Sequence, residues 1–392
     1  MYKIQALNNI SPEGLKLLPS DQYSVADEVD NPDAIILRSY KMHDQDWPES
    51  VKAVARAGAG VNNIPLDEFT KRGVPVFNAP GANANAVKEL VVGGMLLAAR
   101  NLAQAAEYTQ NLDGDGDELN KKVEAGKKKF VGYELPGRTL GVIGLGAIGV
   151  QVANAAHALG MNVIGFDNHI TVSRAWQLSA GVEQARSLED MFSRADMITV
   201  HVPLLEDTKH IVNAARLKLM NANGVILNFA RGGIVDDEAV LASLEEGHLG
   251  RYVTDFPARE LLGHDKIIAL PHLGASTYEA ESNCAVMVAQ NMRDYLEHGI
   301  VRFSVNFPEA DMPRTTESRI TIANVNVPNM VAQISTCLAD AGLNVEDLLN
   351  KSRGDIAYTI VDLDSAVPSE TLDAIRGIEG VINVRCLGQC DG

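Results

Sequence analysis

Basic charge, cysteine and long apolar runs are all scarce in this sequence, and each scarcity removes a class of function. Lys and Arg together number 34 against 51 Asp and Glu, a formal net charge of −17 at pH 7. Nucleic acid is therefore not an expected partner, because binding a polyanion rests on clustered Lys and Arg. A small anionic substrate is repelled at long range by such a chain, so it requires a local basic pocket. No apolar run reaches the roughly 18–20 residues that span a bilayer, and Met1–Ile10 lacks the basic and apolar segments of a secretory signal. No membrane partner and a cytoplasmic location are expected. The 4 cysteines, Cys284, Cys337, Cys386 and Cys390, fall in the last third of the chain and are expected to be reduced thiols. Cys386 and Cys390 have no histidine or third cysteine beside them, so no metal site is expected.

What is present is ordinary globular composition, 46% hydrophobic and 22% charged, in 392 residues. At roughly 100–200 residues per domain, two or three domains are expected. Short apolar runs at Ala34–Leu37, Val51–Ala55 and Val74–Phe77 read as strands, and Val87–Leu102 as a buried helix. Asn111–Lys129 is polar. Its Asp113-x-Asp115-x-Asp117 spacing lacks the correctly placed Gly and closing Glu of a calcium loop, and it reads as a solvated loop with a short helix. From Arg138 to Leu270 strands and helices alternate, which predicts an α/β fold with a doubly wound parallel sheet. Thr277–His298 reads as a long helix. Beyond a polar, Pro-containing stretch at Pro308–Pro313, the order β-α-β-β-α-β marks a ferredoxin-like unit.

Gly144-x-Gly146-x-x-Gly149 follows a predicted strand and opens an amphipathic helix, the context a dinucleotide-binding turn requires. The next strand ends at Asp167, 18 residues beyond Gly149. A carboxylate there bonds ribose hydroxyls and repels a 2′-phosphate, so NAD is the expected cofactor rather than NADP. Further polar groups fall just after later strands: Arg231 in a Gly-rich turn, then Asp255 and Glu260, then His272. The carboxyl ends of such strands are where ligands bind. An arginine there forks a carboxylate. Histidine has the right pKa to take a hydroxyl proton as hydride leaves the carbon.

"GLGAIG" with Asp167, "NFARGGIVD", the Asp255-Phe256-Pro257-x-x-Glu260 stretch and "PHLGAST" resemble the D-isomer-specific 2-hydroxyacid dehydrogenases over most of residues 1–308. The resemblance implies Arg231, Glu260 and His272 as the catalytic set. It implies NAD contacts at Gly144, Gly146, Ala147, Ile148, Gly149, Asp167, His201, Pro203, Phe229, Ala230, Arg231, Asp255, His272, Leu273, Gly274 and Ala275. It also implies a Rossmann NAD-binding domain over residues 89–280 and a discontinuous, flavodoxin-like substrate domain from residues 1–88 and 281–308.

"VARAGAGVNNI" and "PHLGAST" look most like the branch that oxidises D-3-phosphoglycerate to 3-phosphohydroxypyruvate, the first step of L-serine biosynthesis. The substrate-binding residues then implied are Arg56, Ala57, Gly58, Asn78, Arg231 and His272. The 56–60 turn is expected to offer backbone N–H groups to a carboxylate and a guanidinium to a phosphate. Arg38 and Lys127–Lys129 are further anion-binding candidates. The runner-up is another D-2-hydroxyacid dehydrogenase, of glyoxylate or lactate type. A third reading is an NAD-sensing corepressor on the same scaffold.

Residues 309–392 resemble an ACT domain, a module that binds amino acids. It implies an L-serine effector and a homo-oligomer, dimer or tetramer. Asn324, Asn326 and Asn344 are the effector candidates. They are expected to converge because the first two strands of that unit are expected to be adjacent. The chain reads Asn324 and Asn329 where relatives carry a histidine and a glycine.

Overall fold

The computed structural model describes residues 1–391 and divides the chain into two compact units, Met1–Ala82 with Tyr278–Gly392, and Asn83–Thr277. No helix among the described residues is long and apolar enough to cross a membrane.

The first unit opens with five strands: β1 (Tyr2–Leu7), β2 (Tyr23–Ala26), β3 (Ala34–Leu37), β4 (Ala53–Arg56) and β5 (Val76–Phe77). All pair in parallel in the order β2-β1-β3-β4-β5, which is the flavodoxin-like order. Central strands buried on both faces read as unbroken apolar runs, as Ala34–Leu37 does. The helix Tyr278–His298 packs on this sheet through Cys284, Val288, Met292 and Tyr295.

The second unit holds β6 (Thr139–Ile143), β7 (Asn162–Phe166), β8 (Val182–Gln184), β9 (Met197–Val200), β10 (Gly224–Asn228), β11 (Leu249–Thr254) and β12 (Ile267–Ala269). Their order is β12-β11-β10-β9-β6-β7-β8, a doubly wound parallel sheet whose order reverses between β6 and β9. The reversal leaves a crevice outside the strands' carboxyl ends, where such sheets bind ligands. The helix Ala84–Arg100 covers one face, with Val87, Val91 and Met95 in the core. The segment 111–129 carries a helix at Gly116–Gly126, and no metal-holding cluster occurs among the described residues.

The C-terminal sheet belongs to the first unit. Its strands are β13 (Ser318–Val325), β14 (Val345–Arg353), β15 (Ile356–Leu363) and β17 (Val381–Gly388), with two short strands, β16 (Val367–Pro368) and β18 (Cys390–Asp391), paired apart. The order is β14-β15-β13-β17, antiparallel throughout. The expected adjacency of the first two strands is overturned, because β15 lies between β13 and β14. The hairpin connection pairs β14 with β15, and the central place beside β13 goes to β15.

The thiol expectation holds for Cys284 and Cys337, which are free. It fails for Cys386, which is disulfide-bonded. The side chain of Cys390 lies outside the described residues.

Candidate active site

The glycine turn sits at the switch point. Gly144 has φ +90°, and a Cβ on it would lie 2.6 Å from the carbonyl oxygen of His201, the residue just past β9. A Cβ on Gly149 would lie 1.8 Å from the carbonyl oxygen of Gly144, so helix and strand touch only because that side chain is missing. Gly146 faces open space. The helix Ala147–Ala158 starts with no side-chain cap, leaving the N–H groups around Ala147 and Ile148 for an anion. Asp167 accepts from the backbone N–H of Leu145 and of His169, both at 2.7 Å, which holds its carboxylate against the turn. A cradle closed to side chains, open at its middle glycine and flanked by a carboxylate fits a dinucleotide.

His201 Nε2 lies 3.0 Å from Thr199 Oγ1, while its Nδ1 is buried without a partner among the described residues. Burial pushes the imidazole down to about 3, so the ring is neutral at ordinary pH. The Pro203 carbonyl accepts from Thr208 Oγ1.

The loops after β10, β11 and β12 bring three candidate residues together. Asn228, buried at the end of β10, donates its Nδ2 to the Arg231 carbonyl at 2.9 Å. Its Oδ1 accepts the Ala230 N–H at 3.1 Å. The turn that carries Arg231 is thus clamped from beneath. Phe229 is core, packed where Gly94 leaves room. Asp255 accepts the His272 N–H on its carbonyl at 3.0 Å and the Gly274 N–H on Oδ2 at 3.1 Å. Its Oδ1 is buried with no partner among the described residues, and burial pushes its carboxyl above the usual carboxylate range. The Phe256 ring lies 4.4 Å from the His272 ring, centroid to centroid, and 5.6 Å from the Arg231 guanidinium carbon. Leu273 and Ala275 continue the His272 loop, with Leu273 exposed.

Glu260 is placed differently. It stands exposed in the short turn Arg259–Leu261, and among the described residues no hydrogen bond or ion pair joins it to His272.

Of the anion-binding candidates, Arg38, Arg56 and Asn78 lie in the first unit and Lys127–Lys129 in the second. Arg56 Nε donates to the Arg38 carbonyl at 3.1 Å, and a Cβ on Gly58 would lie 1.9 Å from Arg56 Nη1, so the guanidinium folds over a glycine. Asn78 Nδ2 holds the Ala59 carbonyl at 2.6 Å, and the Ala79 N–H bonds the Gly58 carbonyl, which brings Asn78 against the 56–60 turn. The expected backbone donors are partly spent. Ala57 N–H continues the sheet ladder to the Leu37 carbonyl at 2.7 Å, and Gly58 N–H turns back on the Arg56 carbonyl at 2.8 Å. Among the described residues the N–H groups of Ala59 and Gly60 have no acceptor. Arg38 is paired with Glu281 at 2.7 Å, Lys127 with Glu124, and Lys129 lies over the Tyr108 ring.

Sequence reasoning missed Asn228 and Phe256. A single polar residue closing the apolar run Val225–Leu227 was the available signal for Asn228. Nothing in the sequence marked Phe256 as the ring on which Arg231 and His272 meet.

A dinucleotide cradle at the switch point, with arginine and histidine at the ends of neighbouring strands, defines the class as a nicotinamide-dependent oxidoreductase. Residues 92–274 match the family model for the D-isomer specific 2-hydroxyacid dehydrogenase NAD binding domain. The chain is 36% identical over 382 residues to D-3-phosphoglycerate dehydrogenase of Methanocaldococcus jannaschii, covering 93% of this chain and 70% of that protein. It is 33% identical over 345 residues to the Haemophilus influenzae D-3-phosphoglycerate dehydrogenase, covering 84% and 79%. Among solved structures, an NAD⁺-bound 3-phosphoglycerate dehydrogenase of Entamoeba histolytica aligns with TM-score 0.59 and 25% identity, covering 78% of this chain and 98% of that one. A D-2-hydroxyisocaproate dehydrogenase has the same fold, with TM-score 0.65 at 23% identity, covering 78% and 99%. The chain belongs to the D-isomer-specific 2-hydroxyacid dehydrogenases, and its cofactor is NAD.

Proposed function

We propose that this protein oxidises D-3-phosphoglycerate to 3-phosphohydroxypyruvate, the first step of L-serine biosynthesis. The observation that carries the reading is the grouping of Arg231 and His272 on one ring beside the buried carboxylate of Asp255, in a chain whose relatives bear that activity in their names. NAD, when bound, supplies the hydride acceptor. His272 takes the hydroxyl proton as the carbonyl forms. Glu260 steadies the resulting imidazolium once the loops tighten around substrate, since catalytic hydrogen bonds are often long before substrate binds. Arg231 grips the carboxylate with its two-pronged guanidinium. Arg56, with the N–H groups of Ala59 and Gly60, recognises the phosphate.

The test is NADH oxidation with phosphohydroxypyruvate, glyoxylate and pyruvate, in the wild type and in Arg56→Ala. The wild type is expected to prefer the phosphorylated acid in kcat/KM. Arg56→Ala is expected to shrink that preference by about tenfold or more, the scale of one charge-assisted contact. Equal turnover of all three acids by the wild type would defeat the phosphoglycerate reading.

Residues 309–392 are proposed as a regulatory domain that takes L-serine between two copies of the chain. Asn324 Oδ1 is buried without a partner among the described residues, an acceptor ready for an ammonium group. Asn326 stands at the same end of the sheet, its Nδ2 on the Gly354 carbonyl. Asn344 precedes β14 at the opposite end, where Val345 and Ser318 both pair with Leu363. Some seven residues of strand, roughly 20 Å, separate Asn344 from Asn324 along the sheet. A site drawing on all three amides therefore needs a second copy. β14 is an exposed edge strand whose outer side pairs with no strand among the described residues, and such edges invite pairing.

A further inference from the structure

The loops that carry Arg231 and His272 leave two different positions in the sheet, after β10 and β12, with the loop after β11 between them. Strand pairing fixes their backbones and leaves the side chains to be fixed by something else. Arg231 is exposed, and its Nη1 donates to the carbonyl of Ala230, its own neighbour. The His272 imidazole is exposed and makes no hydrogen bond among the described residues. Both side chains nevertheless contact one group, the half-buried ring of Phe256. The backbone that carries the ring is anchored: the Phe256 N–H donates to Thr254 Oγ1 at 3.0 Å, and Thr254 is fully buried.

The backbone of His272 supplies a second observation. Its φ is +23°, on the side that an L residue with a Cβ disfavours. Such a conformer persists only where its surroundings over-determine it. Here the His272 N–H is tied to the Asp255 carbonyl and the imidazole lies against Phe256, the residue next in sequence to Asp255.

We infer that Phe256 is a positioning residue for this reaction: its ring holds the Arg231 guanidinium and the His272 imidazole in one arrangement, so that carboxylate anchoring and proton transfer keep register. The inference rests on the proposed dehydrogenase reading. An aromatic ring also attracts cations, so it favours the imidazolium that forms when His272 takes its proton. A charged His272 lowers the Asp255 carboxyl, and Glu260 sits on the Phe256 loop without bonding to the histidine.

The experiment uses the full chain with Phe256→Leu, Phe256→Met and Phe256→Tyr. Methionine keeps most of the volume without an aromatic face, and tyrosine keeps the face. Two readouts are taken: kcat and KM with NADH and phosphohydroxypyruvate, and the His272 ring-proton shifts by NMR in the unligated protein, which an aromatic ring 4.4 Å away displaces. In Leu and Met, kcat is expected to fall about tenfold and the His272 ring-proton shifts to move towards those of an isolated imidazole, while Tyr stays within about twofold of wild type and keeps the shifts. Leu and Met variants that melt like wild type and keep both kcat and the His272 ring-proton shifts overturn the inference. A wild type that turns over no 2-oxo acid defeats the dehydrogenase reading instead, and the NMR shifts still decide whether Phe256 holds the histidine.

Discussion

Asp255 shows how a residue legible in sequence acquires its physics only in the fold. Its position after a strand, downstream of a glycine turn, was enough to single it out. That its Oδ1 is buried and unpartnered among the described residues, and that burial raises its pKa, came from the packing of the His272 loop over it. A carboxyl whose folded pKa lies above its unfolded one costs stability once pH exceeds the unfolded value, and the cost fades as pH falls below it. Asp255→Asn removes that cost and keeps an oxygen for the Gly274 N–H. The variant is expected to melt no lower than wild type at pH 8, with any advantage gone near pH 4 or so, while NAD binding by calorimetry weakens. A melting temperature well below wild type at pH 8 would mean that the carboxylate is stabilising the fold. Asn228 and Phe256 went the other way: a buried amide and a half-buried ring look like packing until the loops they steady are seen together.

At the scale of elements, the helix Tyr278–His298 and the C-terminal sheet form one construction. The last carbonyls of a helix lack intrahelical donors, and here the sheet supplies them. Arg385 donates to the Tyr295 and Leu296 carbonyls, Tyr358 to Gly299, and Arg319 to His298. Arg319 and Asp362 are both fully buried, joined at 2.5 and 2.8 Å, and Arg319 also donates to the Met312 and Pro313 carbonyls. Burial alone would raise the Asp362 carboxyl; the bonds from Arg319 and Thr315 hold it below the usual range instead. Arg319→Ala leaves that carboxylate buried without its counter-ion, so urea denaturation of the full chain should show a loss of about 3–5 kcal/mol. A loss under about 1 kcal/mol, the range of exposed pairs, would mean water reaches the pair. The sequence carries Arg319 near the start of the first strand of the β-α-β-β-α-β order. It could not mark the arginine as interior, because only the helix end, the following linker and β15 together bury it.

For the whole molecule, the proposed serine site calls for two copies, and that sets its test. Millimolar L-serine is expected to inhibit the full chain, to bind by calorimetry, and to do both more weakly in Asn344→Ala, with reciprocal strengthening of the oligomer in sedimentation. Serine that leaves the full chain's activity and assembly untouched would leave the C-terminal sheet without a sensing role. The sequence by itself determined the alternation of strands and helices, the glycine turn, Asp167 and the β-α-β-β-α-β order, because each depends on local periodicity or on residues within one turn of chain. Tertiary structure decided which strands are neighbours, and so put β15 between β13 and β14 and set Asn324 and Asn344 at opposite ends. It also decided which N–H groups of the 56–60 turn stay free and which side chain carries Arg231 and His272 together. Pairing and burial join residues far apart in the chain, and local patterns hold no record of them.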